Sequence, residues 1–147
     1  MKIHLIQSSL IPLLWATLLA ITVAGCTAKS STPAAQAANA GAQTWLAAID
    51  QGDYAESWTN AAASFQLAIT SEKWVDAVQQ VRQPLGSLIS RKAISAQEMS
   101  SLPGAPDGHY VVMQFQTSFA NRKSAVETVT FMLEKDGQWK AAGYYIK

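Results

Sequence analysis

Glu127 is the one carboxylate of this chain that falls on the apolar face of a predicted strand. A carboxylate in that position must be paired, lie at a solvated rim or be kept protonated by desolvation. Arg91 and Arg82 are its available cationic partners. These residues could form a pocket in which Glu127 is a general base or ligand anchor and an arginine holds an anionic group. They could equally form a structural ion pair, and the sequence leaves both interpretations open.

Other catalytic or metal-binding patterns are weak. His109 is the one histidine after the N-terminal leader, and it follows a Pro/Gly-rich loop where a histidine is most often a surface residue. Asp107 and His109 together give two metal ligands at most, too few for a zinc or calcium site. We therefore predict no metal and no cofactor. An enzyme of hydrolase or isomerase type would have to use Glu127 with Arg91 or His109.

Cys26 has the strongest local signal. The sequence Val23-Ala24-Gly25-Cys26 closes an apolar run and contains the only cysteine among the 147 residues. This pattern resembles the lipobox of bacterial lipoproteins, with Val23 in place of the commoner Leu. In a lipobox the thiol receives a diacylglyceryl group before signal peptidase cuts in front of the cysteine. The run is short for a span of about 20 residues but suits a signal peptide. We predict a signal peptide over 1–25, an acylated Cys26 and a flexible tether over 26–41. An ordinary thiol or an uncleaved anchor is the alternative.

The charge balance excludes several partners. The eleven Lys and Arg residues include Lys2, so removal of 1–25 leaves a formally neutral chain with ten Asp and Glu residues. A neutral chain without a Lys/Arg block has no footprint for nucleic acid and no polybasic patch for anionic lipid. With Cys26 acylated, disulfides and thiolate zinc sites are excluded as well. Membrane affinity must then come from the lipid anchor.

The residues 42–147 are predicted to form one domain whose first half is helical. One helix ends near Asp50, before Gln51-Gly52, and a second begins with Asp53 as its N-cap and continues to Phe65. A third opens at Ser71 and ends at the Pro84 to Gly86 segment. Its predicted apolar stripe consists of Trp74, Val78, Val81 and Leu85.

The second half changes to strand periodicity. We predict strands over 87–95 and 110–119, separated by a Pro/Gly-rich loop over 102–108, and then a hairpin whose turn is Asp136-Gly137. If that turn has two residues, Lys135 faces Gln138 and paired residue numbers sum to 273. This register places one set of side chains on the predicted core face: Glu127, Val129, Phe131, Leu133, Lys140, Ala142, Tyr144 and Ile146.

The predicted fold class is α+β: three N-terminal helices packed in two layers on a four-stranded antiparallel meander sheet. Its element order is similar to that of the nuclear transport factor 2 and cystatin folds, which implies nothing about chemistry. The second sheet face is predicted to carry a candidate binding patch, unless the N-terminal helix or tether covers it. Its members are Trp139, Tyr145, Met132 and Tyr110.

Several segments in combination resemble a family of small exported bacterial proteins, the domain of unknown function 4019 family, over roughly 42–147. They are Trp58, Arg82-Gln83-Pro84-Leu85-Gly86, Ser90-Arg91, the loop 102–108, Ser118-Phe119-Ala120, Glu127-Thr128-Val129-Thr130 and Gly143-Tyr144-Tyr145-Ile146. The resemblance implies an exported domain with these limits. It implies no activity.

The favoured expectation is a non-enzymatic module that binds an envelope protein or a small ligand while held at a membrane by the lipid on Cys26. Tethering raises the effective concentration near a membrane-bound partner. Thr27 follows Cys26 where an Asp would resemble an inner-membrane retention signal, so the outer membrane facing the periplasm is expected in a Gram-negative host. Dimerisation through an exposed sheet face is compatible with this expectation.

Overall fold

The computed structural model describes residues 31–147, so the predicted leader and Cys26 lie outside the described residues. Four helices precede a four-stranded antiparallel sheet with the order β1-β2-β3-β4. The predicted α+β meander is confirmed, with four helices in place of three. The elements are α1 Pro33–Gln51, α2 Tyr54–Thr59, α3 Ala63–Ala68, α4 Ser71–Arg82, a 3₁₀ turn Gln83–Leu85, β1 Leu88–Met99, β2 Tyr110–Phe119, β3 Arg122–Leu133 and β4 Trp139–Ile146.

Helix α1 begins well before the predicted start of the domain. The Thr32 hydroxyl accepts a hydrogen bond from the Ala35 amide at 3.1 Å, and Pro33 occupies the first turn. Both features start helices, and the alanines that follow have the highest helix propensity. The prediction of a flexible tether over 26–41 is therefore wrong for 33–41, because the alanine content that suggested a tether builds a helix once Ala38 and Ala42 are buried.

The predicted helix from Asp53 to Phe65 is two helices. Between α2 and α3 the chain extends at Ala61, which forms a parallel bridge with Ala141, and the Ala62 amide donates to the Ala141 carbonyl at 2.8 Å. The Asp53 side chain makes no capping hydrogen bond, contrary to prediction. This extended segment covers part of the outer edge of β4.

Helix α4 buries a charged residue on the face predicted to be apolar. Trp74 and Val78 are buried as expected, but Val81 is exposed and Arg82 takes the next inward position, four residues after Val78. The 3₁₀ turn that follows buries Leu85 and ends at Gly86, whose φ of 76° lies in the left-handed region. The end of α4 thus points a guanidinium into the protein.

The β3–β4 register agrees with prediction at one end only. Glu127 pairs with Ile146 and Thr130 with Gly143, as predicted, but Phe131 pairs with Ala141 and Leu133 with Trp139, one residue out of the predicted register. The turn has three residues: the Glu134 amide donates to Gln138 O at 2.8 Å, and the Gly137 amide donates to Glu134 O at 2.9 Å. A type I turn followed by a left-handed glycine accounts for this, since Gly137 has φ 81°. A bulge in β4 restores the predicted register farther along.

The bulge changes which side chains face the helices. Because Trp139 pairs with Leu133, it lies on the same sheet face as Phe131 and packs against the main core. Ala141 was also predicted to lie on the opposite face, but it too is buried in the main core. The core between α1, α4 and the sheet is strongly aromatic.

Three of these aromatic rings, those of Trp45, Trp74 and Tyr144, pack together in the core. The Tyr144 ring meets Trp45 edge-on at 5.5 Å between centroids and Trp74 at 6.3 Å. Both indole N–H groups donate to Ser57, Trp45 to its carbonyl at 2.7 Å and Trp74 to its hydroxyl at 2.9 Å. Two fixed indoles therefore hold the Tyr144 ring in one orientation, with its hydroxyl directed at Glu127.

Candidate functional site

The carboxylate of Glu127 is fully buried, at 0% exposure, and both of its oxygens are engaged. Arg91 donates to it twice, from Nε to Oε2 at 2.6 Å and from Nη2 to Oε1 at 3.1 Å. The Thr117 hydroxyl donates to Oε2 and the Tyr144 hydroxyl to Oε1, each at 2.6 Å. Four donors on one carboxylate satisfy the acceptor capacity that burial would otherwise leave unpaired.

A second carboxylate, Asp50, completes the cluster from the last turn of α1. Arg91 donates to it through Nη1 at 2.7 Å and Nη2 at 2.9 Å, and Arg82 donates through Nη2 at 2.7 Å. Asp50 was not among the residues predicted from the sequence to join Glu127. The sequence feature that could have indicated its role is its position near the C-terminus of a helix. An acidic residue there interacts unfavourably with the helix dipole unless a cation compensates it.

The cluster is electrically balanced, with two guanidinium groups and two carboxylates. Burial acts to raise the pKa of Glu127, but the hydrogen bonds from Arg91, Thr117 and Tyr144 outweigh it, so the pKa lies below its ordinary value. Burial also opposes the charge on Arg91, but its hydrogen bonds to Asp50 and Glu127 hold the guanidinium pKa above its usual range. Burial and the adjacent Glu127 charge raise the pKa of the Tyr144 phenol. Glu127 is therefore ionised and Tyr144 neutral near pH 7.

Arg82 is less well satisfied than Arg91. Its Nη1 lies 3.8 Å from Glu127 Oε1, and neither Nη1 nor Nε makes a hydrogen bond to a protein atom of the part of the chain described. Its guanidinium lies 4.4 Å from the centroid of the Phe119 ring, a cation–π contact. Arg82 thus contributes charge and packing more than hydrogen bonds.

These contacts connect elements that are distant in sequence, and they leave Glu127 poorly suited to act as a general base. Asp50, Arg82, Arg91 and Glu127 come from α1, α4, β1 and β3, and Thr117 and Tyr144 add β2 and β4. A general base needs a free lone pair directed at its substrate. Every oxygen of Glu127 already accepts hydrogen bonds from the protein. We interpret the cluster as a structural connection between the helices and the sheet.

The pairing of Glu127 with His109 as acid and base is wrong. Glu127 lies opposite Phe115 in the sheet, whereas His109 directly precedes β2 and is six residues before Phe115. Six strand residues span about 20 Å, too far for a shared proton. His109 instead lines a cleft of about 320 Å³ at the far end of the sheet, together with Tyr110 and Trp139.

The four residues of the predicted aromatic face do not form one patch. The β4 bulge moves Trp139 to the helix side, and Tyr110 is buried with its hydroxyl donating to Pro106 O at 2.6 Å. Met132 is half-buried, with its sulfur accepting from the Ser64 hydroxyl at 3.2 Å. Tyr145 alone is largely exposed, at 59%. The prediction of a shared face is therefore wrong for Trp139. By register, Tyr110, Met132 and Tyr145 do lie on one sheet face, but only Tyr145 presents a large exposed side chain there.

A larger groove lies between the N-terminal half of α1 and the edge strand β1. Its volume is about 760 Å³, and the residues that line it are Ser31, Thr32, Ala35, Gln36, Asn39, the stretch 93–98 and Met113. Six consecutive residues of β1 contribute, although alternate residues of a strand face opposite sides. The groove therefore runs along the strand edge, where the backbone is accessible. This groove was not predicted from the sequence.

A scan against protein-family models matches residues 41–144 to a family described as a protein of unknown function, DUF4019. The chain belongs to this family. A search of curated proteins finds no relative that matches the chain. The matched range contains every residue of the charge cluster, from Asp50 to Tyr144. The α1 side of the groove, from Ser31 to Asn39, precedes the matched range, whereas its β1 side lies within it.

Residues 31–147 contain no group of three or more His, Cys, Asp or Glu side chains arranged to hold a metal ion. Within the same range, no helix combines the length and the apolar character needed to cross a bilayer.

Proposed function

We propose that this protein is a lipid-anchored module of the bacterial cell envelope that binds a protein partner or small ligand in the groove between α1 and β1, without catalysis. The observation that carries the proposal is the groove itself, about 760 Å³ in volume and bordered by six consecutive residues of an edge strand. Ligand sites of proteins are typically concave and of this size.

The predicted anchor supports this position for the binding site. Ser31 and Thr32 line the groove, and Thr32 lies six positions after Cys26. A fully extended chain of that length spans at most about 22 Å. An acyl group on Cys26 would hold the groove within that distance of a membrane surface, which favours a membrane-bound partner. In a Gram-negative host we place the domain at the outer membrane, facing the periplasm.

The charge cluster supports the non-enzymatic part of the proposal. Glu127 is the carboxylate on which a pocket enzyme would depend, and it is ionised, fully buried and bonded by Arg91, Thr117 and Tyr144. Neither cleft is lined by it. The groove therefore offers a binding surface separate from the most polar part of the interior.

Co-purification from native envelope membranes tests the proposal with three variants. Cys26→Ala removes the acylated thiol, Ala96→Trp fills the groove, and Ala37→Trp adds the same side chain on the exposed outer face of α1. We expect a bound protein or small molecule with wild type and Ala37→Trp, and its loss with Ala96→Trp. Cys26→Ala should leave the membrane fraction. Equal recovery with Ala96→Trp and Ala37→Trp would contradict the groove as the site.

A further inference from the structure

We propose that the occupant of the groove is an extended peptide segment that pairs with β1 as a fifth strand. The inference rests on the proposed function, because it assigns an occupant to the same groove. Strand addition to an exposed sheet edge is a recurring mode of peptide recognition, in which main-chain hydrogen bonds give affinity and side-chain pockets give specificity.

The two edges of the sheet differ in a way that selects β1. The outer side of β4 is occupied in part by the extended chain at Ala61 and Ala62, which pairs with Ala141. Within residues 31–147, strand β1 pairs only with β2, so along its outer side alternate backbone N–H and C=O groups lack a strand partner in this part of the chain. The described domain thus leaves one long edge open, and the groove lies along it.

The segment best suited to strand addition is 95–99. Register shifts interrupt β1 at Ile89 and at Ile94, but Ser95 to Met99 pair without interruption with Gln114 to Tyr110. A regular run of five residues presents an even ladder of donors and acceptors, whereas bulges disturb pairing. Ala96, Gln97 and Glu98 of this run line the groove.

The lining defines the chemistry of the peptide. The apolar part of the lining, called the floor below, comes from Ala35, Ala93, Ile94, Ala96 and Met113. The rim carries neutral amides from Gln36, Asn39 and Gln97, and the one charged group among the lining residues is the Glu98 carboxylate, which accepts a hydrogen bond from the Thr32 hydroxyl. This charge pattern favours a segment of about five residues without acidic side chains, with small apolar side chains at alternate positions.

Backbone groups distinguish a peptide from an acyl chain as the occupant. A hydrocarbon chain would fill the apolar floor, but it offers no donor or acceptor to the open edge of β1. A peptide supplies both at the strand spacing. Ile94, which is 52% exposed at the bulge, would gain apolar contacts from the same peptide.

A phage-displayed library of seven-residue peptides, screened against the purified full-length protein, tests the inference. We expect selected peptides to bind wild type and Ala37→Trp and to lose at least tenfold in affinity for Ala96→Trp. Backbone hydrogen exchange should slow at alternate amides of 95–99 when the peptide is bound. Replacing one pairing amide of the peptide by an ester should weaken binding roughly fivefold, the effect of losing one hydrogen bond.

The outcomes separate this inference from the proposed function. Peptides that bind without slowing exchange in 95–99, or a library that yields none, would overturn strand addition. If a lipid or small molecule is nevertheless lost from Ala96→Trp in the membrane experiment, the groove remains the binding site with another occupant. A different result is protection of the 95–99 amides that appears without peptide and increases with protein concentration. That result would overturn a peptide as the occupant in favour of a second copy of the chain.

Discussion

Replacement of Glu127 by Gln tests the interpretation of the charge cluster. The substitution keeps the shape of the side chain but leaves Arg91 and Arg82 with Asp50 as their one carboxylate. It also turns an amide donor toward groups that are already donors. Breaking a buried ion pair by removing one partner costs about 3–5 kcal/mol. We expect a loss of that size, a large part of the 5–15 kcal/mol typical of a domain.

Urea denaturation followed by tryptophan fluorescence measures this loss, because Trp45 and Trp74 are buried beside the cluster. Glu56→Gln is the matched control: it makes the same change at an exposed carboxylate of α2 and should cost less than about 1 kcal/mol. A Glu127→Gln protein as stable as the control would refute the structural role. A stable protein that has lost a measurable turnover would instead make Glu127 catalytic.

The pH dependence of the unfolding free energy provides a second test of the structural role of Glu127, because its direction is fixed by the pKa shift. The folded-state pKa of Glu127 lies below its ordinary value, so its contribution is complete above the unfolded value of about 4.3. That contribution is lost as the pH falls through the folded-state pKa. We expect the unfolding free energy of wild type to fall in acid and the curve of Glu127→Gln to be flatter. Parallel curves for the two proteins would contradict the pKa shift.

Three further predictions concern the same denaturation assay. Arg91→Met should destabilise more than Arg82→Met, because Arg91 makes four hydrogen bonds to carboxylates and Arg82 one; the reverse order would contradict the described geometry. Tyr144→Phe removes one donor to a buried carboxylate and should cost about 1.5–3 kcal/mol, and a cost near zero would mean that the hydroxyl bond is dispensable. Gly86→Ala should cost at least about 1 kcal/mol more than Gly104→Ala, since both have positive φ but only at Gly86 would the new Cβ lie 3.1 Å from other side-chain atoms. Equal costs would show that the contact relaxes freely.

The sequence predicted the fold well where periodicity and local turn chemistry agree. Strand β2 has the predicted bounds, and Glu127 lies on the helix side of the sheet, as the alternation of β3 required. The turn at Asp136-Gly137 was placed correctly, but its length was not. Two- and three-residue turns both accept a glycine with positive φ, and only the bulge in β4 decides between them. One residue of difference was enough to move Trp139 to the opposite face.

The site was predictable in part. A carboxylate on an apolar face needs partners, so Arg91 and Arg82 followed from Glu127. Asp50 depended on the end of α1 meeting β1, a tertiary contact that no local spacing encodes. The groove could not be predicted for the same reason. Its two walls, α1 and the 93–98 segment, are more than fifty residues apart in sequence.

The most direct test of the groove as the binding site is photo-crosslinking in native membranes from a reactive residue at position 97, with position 145 as the control. Gln97 lines the groove, whereas Tyr145 is exposed and does not line it. We expect a discrete adduct from position 97 and none from position 145. An adduct from position 145 alone would contradict the groove as the binding site and direct attention to the surface around Tyr145.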